Sequence, residues 1–255
     1  MMRQWRAAHY ADTSYSQDEA ATHFLQKYAV VEGHEDILDV GCGDGHLSAK
    51  LAQSTSGKVK AIDPSDNMIK YAQAHHHVPG KCEFSVGDAL IHAEEAYDLI
   101  TSFSALHWLA EHDEMLRRFH AALKPGGKVA FLIWPRGDFA WAPIEYLCKQ
   151  TMWAPYFTDF DDGFYRFART GYALLLKHSP FSSYEVGEST FYYTHSCGED
   201  YVERVSSFLP HFDRIPDEKL PLFNEQLAQL AEEVLFKTDD CFMFPANNIE
   251  VIAHK

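Results

Sequence analysis

Cationic side chains are scarce in this 255-residue sequence, where 22 Lys and Arg stand against 37 Asp and Glu, a formal net charge of −15 at pH 7. So negative a surface repels phosphate backbones and anionic headgroups, which argues against a nucleic-acid or membrane partner. No apolar run approaches the roughly 20 residues that cross a bilayer. The first ten residues carry Arg3 and Arg6 without an apolar core, so they do not read as a secretory leader. Cysteine is sparse: Cys42, Cys82, Cys148, Cys197 and Cys241 are odd in number, widely spaced and lack a C-x-x-C pair. Neither a zinc site nor a disulfide framework is indicated, and reduced thiols in the cytoplasm are the simplest expectation. Internal repeats and low-complexity tracts are also lacking. Apolar and aromatic residues are plentiful, at 46% and 14%. They suffice for a full core, and the length suits one α/β domain or a core domain with a cap.

Ala21, Phe24, Leu25 and Tyr28 recur at helical spacing within Asp18 to Val31, and Gly33 ends that helix. Five strands then alternate with helical patterns: 37–40, 58–63, 82–86, 97–103 and 128–134. Pro64-Ser65 opens the helix after the second strand, with Ser65 as N-cap and Met68, Ile69 and Ala72 facing inward. Lys124-Pro125-Gly126-Gly127 reads as a turn. The alternation predicts a doubly wound, mostly parallel, Rossmann-like sheet with helices on both faces. Ligands of such sheets sit at the carboxyl ends of the strands, so the first four strands deliver Gly41–Gly45, Asp63, Asp88 and Phe103–Trp108 to one edge. Past Trp134 the pattern changes to aromatic-rich helical segments at 142–153 and 163–178, expected to form a substrate cap. A strand at 181–194, helices at 199–208 and 217–236, and a final strand or hairpin at 240–253 complete the chain. The expected division is 1–134 for the N-terminal lid segment and cofactor-binding part, 135–180 for the helical cap, and 181–255 for the remainder of the Rossmann-like domain.

The most informative stretch is Ile37-Leu38-Asp39-Val40-Gly41-Cys42-Gly43-Asp44-Gly45-His46-Leu47. A strand, a loop with glycine at alternate positions and a helix N-terminus make a cradle for a polar group. Asp39 and Asp44 would repel a pyrophosphate. They suit a ligand with a cationic amine, and loop N–H groups facing a carboxylate complete the match to the amino-acid end of S-adenosylmethionine. Dinucleotide enzymes need G-x-G-x-x-G, whereas here position 46 is histidine, so an NAD oxidoreductase is a distant reading. Asp63, about twenty residues on, can accept both ribose hydroxyls. Asp88 in Gly87-Asp88-Ala89 can accept the adenine amino group, or else close an Asx turn.

ILDVGCGDG, AIDPSDNMI, VGDA, AYDLITSFSALHWL and ALKPGGKVAFL occur in the order and at the spacing of class I S-adenosylmethionine-dependent methyltransferases, which residues 20–134 resemble. The resemblance implies a seven-stranded sheet with the cap inserted after the fifth strand. It implies cofactor contacts from Asp39, Gly41, Cys42, Gly43, Asp44, Asp63, Pro64, Met68, Gly87, Asp88, Ala89, Ser102 and Phe103, with S-adenosylhomocysteine as product. LHW after the fourth strand is similar to the small-molecule carboxyl methyltransferases of the trans-aconitate and juvenile hormone acid methyltransferase kind. By that resemblance Gln17 and Trp108 line an acid-binding site, and the expected reaction is methyl transfer to the carboxylate of a small, partly apolar acid. A carboxylate is an anion at pH 7 and needs no general base. With a hydroxyl or amine acceptor, His107 becomes the candidate base; a non-catalytic S-adenosylmethionine-binding protein is the other alternative. Arg136, Arg166 and Arg169 lie in the cap and either bind a second carboxylate or are solvated. No metal is expected, and the chain is expected to act as a monomer or homodimer.

Overall fold

The computed structural model describes residues 7–13, 15–135, 139–234, 236–238 and 241–255. Residues 1–6 of the N-terminal segment, and Arg136 at the start of the cap, lie outside the described residues. The strands are β1 (Ile37–Val40), β2 (Val59–Asp63), β3 (Cys82–Val86), β4 (Tyr97–Phe103), β5 (Leu123–Ile133), β6 (Ser183–His195), β7 (Phe236–Lys237) and β8 (Phe242–His254). The helices are α1 (Ala7–Thr13), α2 (Tyr15–Lys27), α3 (His46–Ser54), α4 (Asp66–His75), α5 (His112–Ala122), α6 (Ala142–Leu147), α7 (Arg169–Lys177), α8 (Gly198–Ser206) and α9 (Leu220–Val234).

The sheet runs β3-β2-β1-β4-β5-β8-β6, with the two-residue β7 paired to β8 off that path. The five strands read from the sequence pair in parallel, and β8 joins β5 antiparallel. This is the doubly wound, mostly parallel seven-stranded sheet expected of class I methyltransferases, with a short extra strand. Its order reverses beside β1, so the glycine loop emerges where α/β sheets take their ligands. β1 is buried along its whole length, as a central parallel strand requires. Leu38, Val40, Ile62, Ile100, Val129 and Phe131 meet Met115, Leu116 and Phe119 of α5 in one core cluster.

Two features depart from the sequence reading. Lys124–Gly127 does not turn the chain out of the sheet. Tyr97 pairs with Leu123, Leu99 pairs with Lys128, and the intervening residues bulge within β5. Gly126 at φ +79° makes that bulge possible. The expected cap helices are shorter: that over 142–153 stops at Leu147, with a 3-10 turn at Ala154–Phe157, and that over 163–178 begins only at Arg169.

The chain forms two compact units: Met1–Arg136, Tyr165–Ser189 and Asn248–Lys255 in the first, Gly137–Phe164 and Thr190–Asn247 in the second. The range 181–255 is therefore shared between them. In the second unit α8 lies so close to α9 that a Cβ on Gly198 would sit 2.2 Å from the Ala228 carbonyl oxygen. The aromatic residues of that unit largely pack on one another. Trp153 meets Phe223 edge-on and gives its indole N–H to Gln226 Oε1 at 2.7 Å, and Trp141 meets Phe208. Among the described residues, no helix is long and apolar enough to cross a membrane.

Candidate functional site

Beyond Val40 the chain turns sharply, and the N–H groups of Gly41 and Cys42 both donate to the Ile62 carbonyl, at 2.7 and 3.0 Å. Gly41 sits at φ +74°, where a Cβ would lie 2.2 Å from the Cβ of Ala105. Gly45, at φ +87°, passes Ala72 and Phe84 with room for no side chain. Gly43 N–H donates to Asp63 Oδ2 at 3.1 Å, and Gly45 N–H to the Cys42 carbonyl at 3.0 Å. This corrects the expectation that these loop N–H groups face a ligand carboxylate: those of Gly41, Cys42, Gly43 and Gly45 are engaged inside the protein. The inward bonds fix the loop's shape and leave Asp39 and Asp44 among the residues that line the cavity beside it.

Asp39, Asp44 and Asp18 line a small cavity with Gly41, Cys42, Gly43, Leu47 and Phe103. Asp39 is 2% exposed; its Oδ2 accepts from the Ser48 hydroxyl at 2.6 Å and its Oδ1 from Thr101 at 2.9 Å. Burial pushes its carboxyl up to about 6 in spite of both bonds. Asp63 is likewise pushed up to about 6 by burial, while Gly43 and Ser65 N–H groups hold its two oxygens. Asp18 of α2 is raised by burial too, against the lowering effect of its bond with His46. Burial also lifts the Cys42 thiol well above its usual value, with Asp39 and Asp63 adding to the effect, so it stays a thiol. Buried carboxylates short of counter-charge are complementary to a cationic ligand.

The same cavity is closed by the N-terminal helices. Tyr10 of α1 lies over the loop, its ring 3.5 Å from where a Gly43 Cβ would be. Its hydroxyl donates to Gln17 Oε1 at 2.6 Å, and Gln17, 9% exposed, also lines the cavity. Tyr10, Asp18 and Leu47 were not among the sequence candidates for this contact. Asp18 carried a usable signal, since it adjoins Gln17 in the first turn of the same helix.

The other candidates fall elsewhere. Met68 is 2% exposed on the inner face of α4, Pro64 is exposed, and the Ser65 hydroxyl caps α4 by accepting from Met68 N–H at 3.4 Å. Ser102 is fully buried and donates to the Val40 carbonyl at 2.7 Å. Gly87 and Asp88 line a second cavity of about 500 Å3, with Ile62, Tyr97 and Arg118. Asp88 accepts from Leu90 N–H at 2.8 Å, the Asx turn, and Ala89 packs against the main core. His107 and Trp108 occupy a 3-10 turn, Leu106–Trp108, and neither lines the glycine-loop cavity. His107 is fully buried and stacks on Trp134 at 4.0 Å, and burial drives its basicity well below normal. Trp108 is half-buried with its ring 5.8 Å from that of His107. Part of the expected cap range lies against this turn: Tyr165 N–H donates to the His107 carbonyl at 2.7 Å, and the charge of Arg166 acts on His107.

The donor set fits an amino-acid cofactor. It offers carboxylates to an amine and sulfonium, a close glycine wall, and no arginine or lysine among the described lining residues for a pyrophosphate. Residues 37–127 match the family model described as "Methyltransferase domain". The chain is similar to trans-aconitate 2-methyltransferase of Delftia acidovorans, 31% identical over 51% of this chain and 48% of that protein. It is also similar to trans-aconitate 2-methyltransferase of Mycobacterium tuberculosis, 27% identical over 85% of this chain and 84% of that one. It spans about half the length of the relatives above 30% identity. Phosphoethanolamine N-methyltransferase 2 of Haemonchus contortus, solved in complex with phosphomonomethylethanolamine and S-adenosylhomocysteine, shares the fold. Its TM-score is 0.59 at 19% identity over 94% of this chain and 53% of that one. Residues 37–127 thus match a methyltransferase domain, and the chain shares the fold of an S-adenosylmethionine-dependent methyltransferase.

Proposed function

We propose that the chain transfers the methyl group of S-adenosylmethionine to the carboxylate of a small, partly apolar acid. The observation that carries the carboxylate reading is the state of His107. It is the one candidate base in the fourth-strand motif, and it is enclosed, stacked on Trp134 and made weakly basic by burial. A hydroxyl or amine acceptor needs a base, and a carboxylate does not. The names of the aconitate-methylating relatives point the same way.

S-adenosylmethionine would supply a methyl carbon on a cationic sulfur, and its transfer to a carboxylate oxygen would release neutral thioether and ester with no proton to move. Asp39, Asp44 and Asp18 hold the cationic end, Asp63 fixes the loop and the ribose side, and Gln17 orients the acid. The N-terminal helices exclude water, which strips the acid's hydration shell and strengthens the remaining electrostatics. Holding nucleophile and methyl in line supplies about 7–11 kcal/mol of barrier reduction. The cavity of about 30 Å3 has room for a water or two.

The test is a screen of carboxylic acids with methyl-tritiated donor, followed by mild alkali. Release of the label as methanol is expected; an alkali-stable methyl product overturns the ester reading. His107→Phe keeps the ring stack on Trp134 and is expected to retain activity within about threefold with an unchanged pH profile. A steep loss would instead assign His107 as base. Binding also responds to acid. Asp39 and Asp63 take up protons near 6 in the free protein. The amine of the ligand stays protonated, so the attraction weakens as pH falls. S-adenosylhomocysteine affinity is expected to drop about tenfold from pH 7 to 5, read by calorimetry. Constant affinity over that range would remove Asp39 from the cation site.

A further inference from the structure

Position 46 opens α3 directly after the last glycine of the loop, and its imidazole reaches a different helix. His46 Nδ1 bonds to Asp18 Oδ2 of α2, 28 residues earlier in the chain. An ionised carboxylate only accepts, so the ring nitrogen donates and the neutral imidazole is the Nδ1–H tautomer. The residue is further restrained: its backbone N–H donates to Asp44 Oδ1 at 3.2 Å, and its ring lies 5.5 Å from that of His76, just past the end of α4. Asp18 lines the glycine-loop cavity, and its side chain is 14% exposed. Lys50, one turn further along α3, stands 4.0 Å from Asp18 Oδ2 with its own side chain largely in solvent. Burial favours the neutral form of the Asp18 carboxyl, and the His46 bond is the largest effect opposing it; the charges of Asp44 and Lys50 act more weakly and in opposite senses. The bond engages one oxygen of a group with about four lone-pair sites, so it is compatible with a ligand amine on the same carboxylate.

We infer that His46 is a positioning residue of the cofactor site: its Nδ1–H holds the Asp18 carboxylate in the cavity, where that carboxylate meets the amine of S-adenosylmethionine. This rests on the placing of Asp18 at the cofactor's cationic end and deepens it. His46 touches no reacting atom; it acts through the direction and the charge of Asp18. Without the bond, burial shifts the carboxyl toward its neutral form, and an ionised Asp18 is drawn to the Lys50 ammonium and to water instead. The bond also joins α2 to the first turn of α3, so a carboxylate from outside the glycine motif is fastened to the residue that follows it. The donor has a defined place. Asparagine sets its amide nitrogen near the position of Nδ1, whereas the longer glutamine sets it near that of Nε2, so the two amides separate a directed bond from mere polarity at this position.

The experiment measures S-adenosylhomocysteine affinity by calorimetry at about pH 8, where free histidine is neutral. His46→Phe loses about tenfold, the size expected for a hydrogen bond to a charged group, and so does His46→Gln. His46→Asn restores affinity to within about threefold of wild type. Lys50→Met stays within about twofold, as an exposed charge at that distance should. His46→Phe added to Asp18→Ala has no further effect, because His46 acts through Asp18. Unchanged or raised affinity in His46→Phe, equal rescue by asparagine and glutamine, a loss in Lys50→Met as large as in His46→Phe, or fully additive effects overturns the assignment. If Asp18→Ala itself binds as wild type does, the placing of Asp18 at the cation fails and takes the assignment with it; a loss there with none in His46→Phe overturns the assignment alone. A second measurement needs no ligand and no variant that must fold: long-range 15N–1H spectra of the wild-type protein at the same pH show His46 protonated at Nδ1, and a bare Nδ1 overturns the bond.

Discussion

Asp39→Asn is expected to give a more stable protein that binds S-adenosylhomocysteine poorly. The carboxyl of Asp39 is 2% exposed and titrates at about 6 because burial disfavours its charge. Its unfolded value lies near 3.9. Between those values the folded chain holds a proton that the unfolded chain has lost, so the contribution of this group falls as pH rises through the window. Above it, the ionised side chain costs about 3 kcal/mol. Asparagine keeps the shape and removes the charge. Its amide still accepts one of the hydroxyl bonds that Ser48 and Thr101 now donate, and the other hydroxyl can turn to accept from the new N–H group. A gain of about 1–3 kcal/mol at pH 8 and almost none at pH 4 is expected from urea unfolding. Affinity for S-adenosylhomocysteine should fall about thirtyfold or more, the scale of removing one partner of a protected charge pair. Greater instability at pH 8, or unchanged affinity, would refute the placing of Asp39 against the ligand's cation. Stability given up at a binding group is a common trade.

Gly41→Ala should lose binding for a different reason. Two separate penalties act on this residue. Its φ of +74° costs an L-residue about 1–2 kcal/mol. Its new Cβ would lie 2.2 Å from the Cβ of Ala105, on the chain following β4. Neither atom is the end of a flexible side chain, so backbone must shift, at about 1–3 kcal/mol. The shift falls on the N–H groups of Gly41 and Cys42, which hold the Ile62 carbonyl and so set where Gly43 and Asp44 lie. A loss of about hundredfold or more in S-adenosylhomocysteine affinity is expected, from penalties of about 2–5 kcal/mol. Gly41→Ala combined with Ala105→Gly removes the clash and leaves the dihedral cost, so it should recover part of the loss. Full recovery would show that backbone conformation is irrelevant here, and no recovery would show that the Ala105 contact is.

Where each element lies was legible because it follows from local pattern. Alternating strand and helix periods located β1 to β4 within a residue and the later part of β5, and the D-x-G-x-G-x-G loop pointed to the cofactor edge. Lys124–Gly127 misled because turn chemistry is local, whereas β4 and β8 on either side keep the chain in the sheet as a bulge. The loop N–H groups misled for a related reason. A glycine loop in a sequence does not show whether its donors point out to a ligand or inward to Ile62 and Asp63.

By itself the sequence determined the parallel α/β architecture, the acidic glycine loop and the resemblance to a methyltransferase class, because each rests on residue types at short spacing. Only the tertiary structure decided what those residues can do. It closed His107 against Trp134, Met68 into the inner face of α4 and Ser102 onto the Val40 carbonyl, and it brought Tyr10, Gln17 and Asp18 over the loop from outside the motif. Burial sets whether a histidine is a base and whether a carboxylate keeps its proton. Both depend on neighbours distant in the chain, and spacing along the sequence carries no record of them.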